Sequence, residues 1–250
     1  MNDPNGFIKD VTSTGNSGAT IDFTDDTITV SLPETSLLED TTVRYSFDIE
    51  TECFVTGTRI LTDSGETPVE ALKIGDWVKT ADGQLQPVKW IGRQTVEPSR
   101  VKNPLRGYPV LVKAGALGAQ TPSRDLYVSP DHSLLVEGLL INAGALTNGI
   151  SILKTEPTDT FVYYHIELEN HALLVAEGTF AESYFPQKED RLAYDNGAQY
   201  EELYPHGSKL MLWPMDYPRV SSKNKVPRFV TQKLTNIARQ LSGAPVQLSA

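Results

Sequence analysis

A single cysteine, Cys53, is present in 250 residues, so no internal disulfide framework exists and packing alone must hold the fold. Nowhere do 18 apolar residues run together, which argues against a helix spanning a membrane. The opening residues Met1-Asn2-Asp3-Pro4-Asn5-Gly6 lack the basic-then-apolar order of a cleavable secretory signal. Basic charge is scarce at the front. Residues 1–52 hold 2 Lys+Arg (Lys9 and Arg44) against 11 Asp+Glu, whereas the remainder is nearly balanced, with 20 against 21. An acidic chain without a basic face is a poor partner for nucleic acid or anionic lipid. A sustained helical period is also missing from residues 53–184.

What is present is turn chemistry, with 18 glycines and 16 prolines, and an apolar fraction of 39% that suffices for a core. Ile21 and Phe23, then Ile28, Val30 and Leu32, alternate with polar residues around Asp25-Asp26 and predict a hairpin. Val43, Tyr45, Phe47 and Ile49 predict a further strand running towards Cys53. Beyond the cysteine, strands are expected at 58–61, 69–72, 77–80, 88–91, 110–112, 126–128, 134–136, 139–142, 150–153, 161–168 and 173–176. The fold class is therefore all-β. Two copies of Ala-Gly-Ala-Leu, at 114–117 and 143–146, are too short to establish a duplication. After Tyr184 the chain turns polar, apart from Leu210–Met215. Val230, Leu234, Ile237 and Leu241 then mark one stripe of a helix near 230–242, ending by Gly243 and packing on its own domain. The charge break and this change of texture suggest three parts: an acidic β segment at 1–52, a β domain at 53–184, and a mixed extension at 185–250.

The chemistry-bearing residues fall in four blocks. The first is Cys53-Phe54-Val55-Thr56-Gly57-Thr58, with Gly75-Asp76-Trp77-Val78 some twenty residues on. Then come Ser129-Pro130-Asp131-His132, Tyr164–His171, and the closing Glu182-Ser183-Tyr184. In this order and separation they resemble the Hint domain shared by Hedgehog autoprocessing domains and inteins, most closely the bacterial Hint proteins outside the true inteins. The likeness covers about half the chain. It implies a Hint-type horseshoe of short strands, with a small N-terminal β element and a C-terminal extension containing a helix.

The resemblance makes Glu52–Cys53 the scissile bond and Cys53 the nucleophile. Moving an acyl group from a resonance-stabilised amide to sulfur needs a polarised amide, a deprotonated thiol and a proton for the leaving nitrogen. Imidazole suits the proton transfers because it titrates near neutrality. The expectation is that His132 protonates the Cys53 nitrogen while Ser129, in the place of the family's threonine, holds the same amide. His165 stands where many inteins carry an aspartate and takes the thiol proton. His171 supports the site. Glu167 and Glu169 alternate onto the same face as His165 and His171 if this stretch is a strand. His206 is assigned nothing.

Splicing inteins end in His-Asn, and neither Glu182 nor Ser183 can cyclise as asparagine does. The expected activity is self-cleavage through a thioester, without ligation of the flanks. Its substrate is the chain's own N-terminal segment and its acceptor is water or an unknown nucleophile. Residues 185–250 do not read as a sterol-binding surface. No cofactor or metal is expected. Cys53, His132 and His171 are of ligand types that suit zinc, but no close-spaced Cys/His pair supports such a site. The rival reading is a catalytically silent module with a structural or binding role. The compartment is open, with the family's bacterial company inclining towards export without a cleaved signal.

Overall fold

The computed structural model describes residues 20–24, 27–31, 52–185, 191, 194–205 and 215–243. The chain divides into two units, Met1–Ile49 with Gln187–Asp190 and Glu50–Pro186 with Arg191–Ala250. In the first, β1 (Thr20–Thr24) and β2 (Thr27–Ser31) form an antiparallel hairpin with Thr24 opposite Thr27. The strand expected at 43–49, the apolar run before Met215 and His206 all lie outside the described residues.

The second unit is mostly β. Short strands follow one another closely: β3 (Phe54–Val55), β4 (Arg59–Thr62), β5 (Gly65–Pro68) and β6 (Trp77–Lys79). A long β7 (Leu85–Val96) is separated by α1 (Pro104–Gly107) from β8 (Val110–Val112) and β9 (Leu126–Val128). Then come β10 (Ser133–Val136), β11 (Leu139–Asn142), α2 (Ala143–Leu146) and β12 (Ile152–Lys154). The last consecutive strands are β13 (Phe161–Leu168), β14 (Leu173–Ala176) and β15 (Thr179–Glu182). They pair in the order β12-β8-β9-β3-β13-β7-β6-β4-β14-β15-β10-β11, with β5 beside β4, and the sheet does not close.

The segment expected as a strand at 69–72 is instead a 3-10 turn, Val69–Ala71. The hairpin at Asp63-Ser64 puts Gly65–Pro68 opposite Arg59–Thr62, and Pro68 opposes Arg59 at its end. Val69 then donates its N–H to Thr58 O at 2.8 Å, and the chain turns away. The two Ala-Gly-Ala-Leu copies differ in structure: the first is a turn with Gly115 at φ +75°, the second is α2.

The extension joins the same core. After α3 (Gly197–Leu203), β16 (Arg219–Val220) runs parallel to β11, with Arg219 opposite Leu140. The 14-residue helix α4 (Arg228–Leu241) buries Val230, Leu234 and Ala238, spaced four apart, and ends before Gly243 at φ +68°. Leu241, expected on that stripe, is half exposed, because it lies in the helix's last turn. Val230 and Leu234 join Ile60, Leu134, Ile141, Ile166 and others in the main apolar core. No described helix is long and apolar enough to cross a membrane.

Candidate functional site

Strand register brings the first three functional side chains together. Phe54 pairs with Val128 on one side and Tyr164 on the other, so β3 lies between β9 and β13. The residues adjoining those three are Cys53, Ser129 and His165, and all three are buried. The Cys53 N–H donates to Ser129 Oγ at 2.8 Å, and the Ser129 N–H donates to Cys53 O at 2.9 Å. Ser129 thus grips the cysteine from both sides. The nitrogen of the Glu52–Cys53 amide has its proton directed at a hydroxyl. On the other flank, Cys53 Sγ lies 4.0 Å from His165 Nδ1, at the long edge of a sulfur hydrogen bond.

His132 reaches the same place by a turn. Its N–H donates to Ser129 O at 3.1 Å, closing Ser129-Pro130-Asp131-His132 with proline at the second position, where its fixed φ suits a turn. The ring is fully buried, packs on Phe54 with centroids 4.4 Å apart, and lies 6.3 Å from the His165 ring. Burial lowers its pKa to about 4, although the backbone of Cys53 and the backbone and charge of Glu182 resist the shift. His132 is therefore neutral at pH 7. Neither of its ring nitrogens meets hydrogen-bond geometry with a described residue. Burial, followed by the neighbouring His132, also pushes the pKa of His165 well below the usual value.

His171 belongs to a different group. β13 ends at Leu168, so His171 and the exposed Glu169 lie beyond it and do not share the strand face of His165. The ring of His171 instead places Nε2 2.8 Å from Glu182 Oε1, with the N–H poorly aligned. Glu182 also accepts from Arg219, through Nη1 at 3.0 Å and through Nη2. Burial alone would raise the Glu182 pKa, but the adjacent His171 ring and the Arg219 guanidinium bring it down to about 2. Glu52 is partly exposed as a residue, yet its carboxyl is buried beside Glu182. Burial, then the like charge of Glu182, raises its pKa well above the ordinary carboxylate value. Of this pair, Glu182 keeps the charge and Glu52 keeps the proton.

Glu167 does share the buried face of His165, but its partners are structural. Lys89 Nζ lies 2.6 Å from Oε1, and Arg191 reaches both oxygens at 2.9 to 3.2 Å. Both oxygens of this carboxyl are engaged by these partners, which leaves neither free for chemistry.

Two site residues were not anticipated from sequence, and both come from the extension. Tyr194 places its hydroxyl 2.7 Å from His165 Nδ1, and Arg219 pairs with Glu182. Neither sits in a motif. The tyrosine-rich texture after residue 186 was the one available sign. Tyr194 joins Trp90, Tyr163, Tyr184 and Tyr200 in an aromatic cluster that includes Cys53. Among the described residues, no group of three or more His, Cys, Asp or Glu side chains is disposed to hold a metal ion.

A family model described as the Hint domain matches residues 52–188. Among solved structures, the chain is similar to a bacterial intein-like domain from Clostridium thermocellum, at 15% identity and TM-score 0.41, over 54% of this chain and 99% of that one. It is similar to the gp41-1 intein at 16% identity and TM-score 0.39, over 52% and 98%. A DnaB intein from Synechocystis sp. PCC 6803 aligns at 11% identity and TM-score 0.37, over 54% and 100%. No curated protein matches.

Proposed function

The chain belongs to the Hint-domain family, and on that premise we propose that it cleaves itself between Glu52 and Cys53, through a thioester and without splicing. In the first step Cys53 Sγ attacks the Glu52 carbonyl carbon. A C–S bond forms and the C–N bond breaks. One proton leaves sulfur and one arrives at the Cys53 nitrogen, so the shift requires no net proton from solvent. Water then attacks the thioester, giving a carboxylate at Glu52 and returning the thiol.

The observation that carries this reading is the grip of Ser129 on the Cys53 amide, with the buried ring of His132 set against the same backbone. By accepting the Cys53 N–H, the Ser129 hydroxyl fixes the orientation of the scissile amide as its carbonyl is attacked. The neutral His132 ring picks up the proton that the thiol releases and, as imidazolium, delivers it to that nitrogen while the C–N bond breaks. His165, 4.0 Å from the sulfur, is placed to accept the thiol proton on the way. His171 acts at one remove, holding Glu182 ionised below the scissile residue.

Ligation is not part of the proposal. Glu182, where splicing would need a cyclising side chain nearby, is fixed between His171 and Arg219, and Ser183 uses its hydroxyl to accept from the Ala172 N–H at 3.1 Å. The full chain and Cys53→Ala, purified side by side and weighed by mass spectrometry, test the reading. The wild-type chain should yield one fragment ending at Glu52 and one beginning at Cys53, and the variant neither. Equal masses for both chains after prolonged incubation with thiol would instead favour the silent module.

A further inference from the structure

His165 Nδ1 faces the Cys53 sulfur, and the extension already occupies it. Tyr194 OH lies 2.7 Å from this atom, against 4.0 Å for the Cys53 sulfur. The contact is built rather than incidental. Asp195 donates its N–H to Arg93 O at 2.7 Å, and its carboxylate accepts from the Thr95 N–H and hydroxyl, both at 2.7 Å. Asn196 accepts from the Arg93 N–H at 2.8 Å and donates to Ile91 O at 2.9 Å. These bonds fasten the Tyr194 turn along β7. Opposite His165 in the register stands Gly92, where a Cβ would come within 2.7 Å of the Tyr194 ring. Only a residue without a side chain leaves room for the tyrosine to reach the histidine.

An imidazole nitrogen offers either one proton or one lone pair. If Tyr194 donates, the Nδ1 lone pair is in use. If Nδ1–H donates to the phenol oxygen, no lone pair is there. In both tautomers Nδ1 cannot receive the thiol proton while the bond stands. Building on the cleavage reading above, we propose that Tyr194 is a positioning residue that withholds His165 from Cys53, so that the acyl shift proceeds only when the Tyr194–His165 bond opens. The extension is then part of the timing of the reaction: the same segment that completes the core holds back the nucleophile's base.

The test uses the full chain. Cleavage is timed for wild type, Tyr194→Phe and Asp195→Ala, with hydroxylamine present to draw off the thioester. In parallel, the His165 ring nitrogen shifts are read by NMR in Cys53→Ala, with and without Tyr194→Phe, where no cleavage intervenes. Loss of one buried neutral hydrogen bond should speed Tyr194→Phe by about two- to tenfold. Asp195→Ala should move in the same direction, and the Nδ1 shift should change when the hydroxyl is removed. A Tyr194→Phe chain no faster than wild type, or an unchanged Nδ1 shift, overturns the inference while leaving cleavage intact. If every chain stays whole under hydroxylamine, the cleavage reading falls, and this inference with it.

Discussion

Lowering the pH from 7 to 4.5 should weaken the fold through His132 in particular. Its ring is fully buried, and burial takes its pKa from 6.5 to about 4. The unfolded chain therefore takes up a proton as the pH falls below 6.5, while the folded chain refuses it until about pH 4. The stability contributed by the neutral ring is complete above pH 6.5 and drains away as the pH drops towards 4. At pH 4.5 the unfolded ring favours its proton about a hundredfold, while the folded ring still disfavours it about threefold. The loss is about 2.5 kcal/mol at 1.36 kcal/mol per pH unit. Urea unfolding at both pH values measures it, with Cys53→Ala as the intact reference and Cys53→Ala/His132→Gln as the comparison. His165 and Glu182 are present in both chains, so only their coupling to His132 remains in the difference. The reference should lose about 2.5 kcal/mol more than the comparison on acidification. Equal losses would refute the claim that His132 is neutral and sealed beside the Cys53 backbone.

The other predictions concern the groups around that ring. Ser129→Ala should leave the buried Cys53 N–H without its acceptor, costing about 1–3 kcal/mol in urea unfolding and slowing release of the N-terminal fragment. Arg219→Ala should strand the charge of Glu182. Because the arginine side chain is 43% exposed and screened by water, a loss of about 1–2 kcal/mol is expected, below that of a fully buried pair, with a raised Glu182 pKa by NMR titration. Leu234→Ala should remove about 2–4 kcal/mol, because α4 is packed into the main core and is not an appendage. A negligible loss on thermal or urea unfolding would separate the helix from the domain.

The strands were legible where alternation and turn residues agreed. Phe161–Leu168 and Leu173–Ala176 match the structure at both ends. Val69–Ala71 was misread, because β-branched and apolar residues there serve a turn that anchors to Thr58 and not a strand pair. Thr179–Glu182 went unread as a strand, although its hairpin turn at Glu177-Gly178 places it opposite β14. The site divides in the same way. Cys53, Ser129 and His165 are separated by up to 112 residues in sequence, and only the family likeness suggested bringing them together; register in the sheet then explains why they meet. His171 was placed on the wrong surface, because the strand ends three residues before it and the alternation rule stops there. Tyr194 and Arg219 had no local signature. A polar segment following no period reveals its partners only through contacts made across the fold, here with β13 and β15.

The central claim is that the Glu52–Cys53 amide passes its acyl group to the Cys53 sulfur. Mass spectrometry of the full chain treated with hydroxylamine tests it most directly. The account predicts an N-terminal fragment carrying a hydroxamate on Glu52, formed in the wild-type chain and absent from Cys53→Ala. An N-terminal fragment that never carries the hydroxamate, or one released equally from Cys53→Ala, would contradict it.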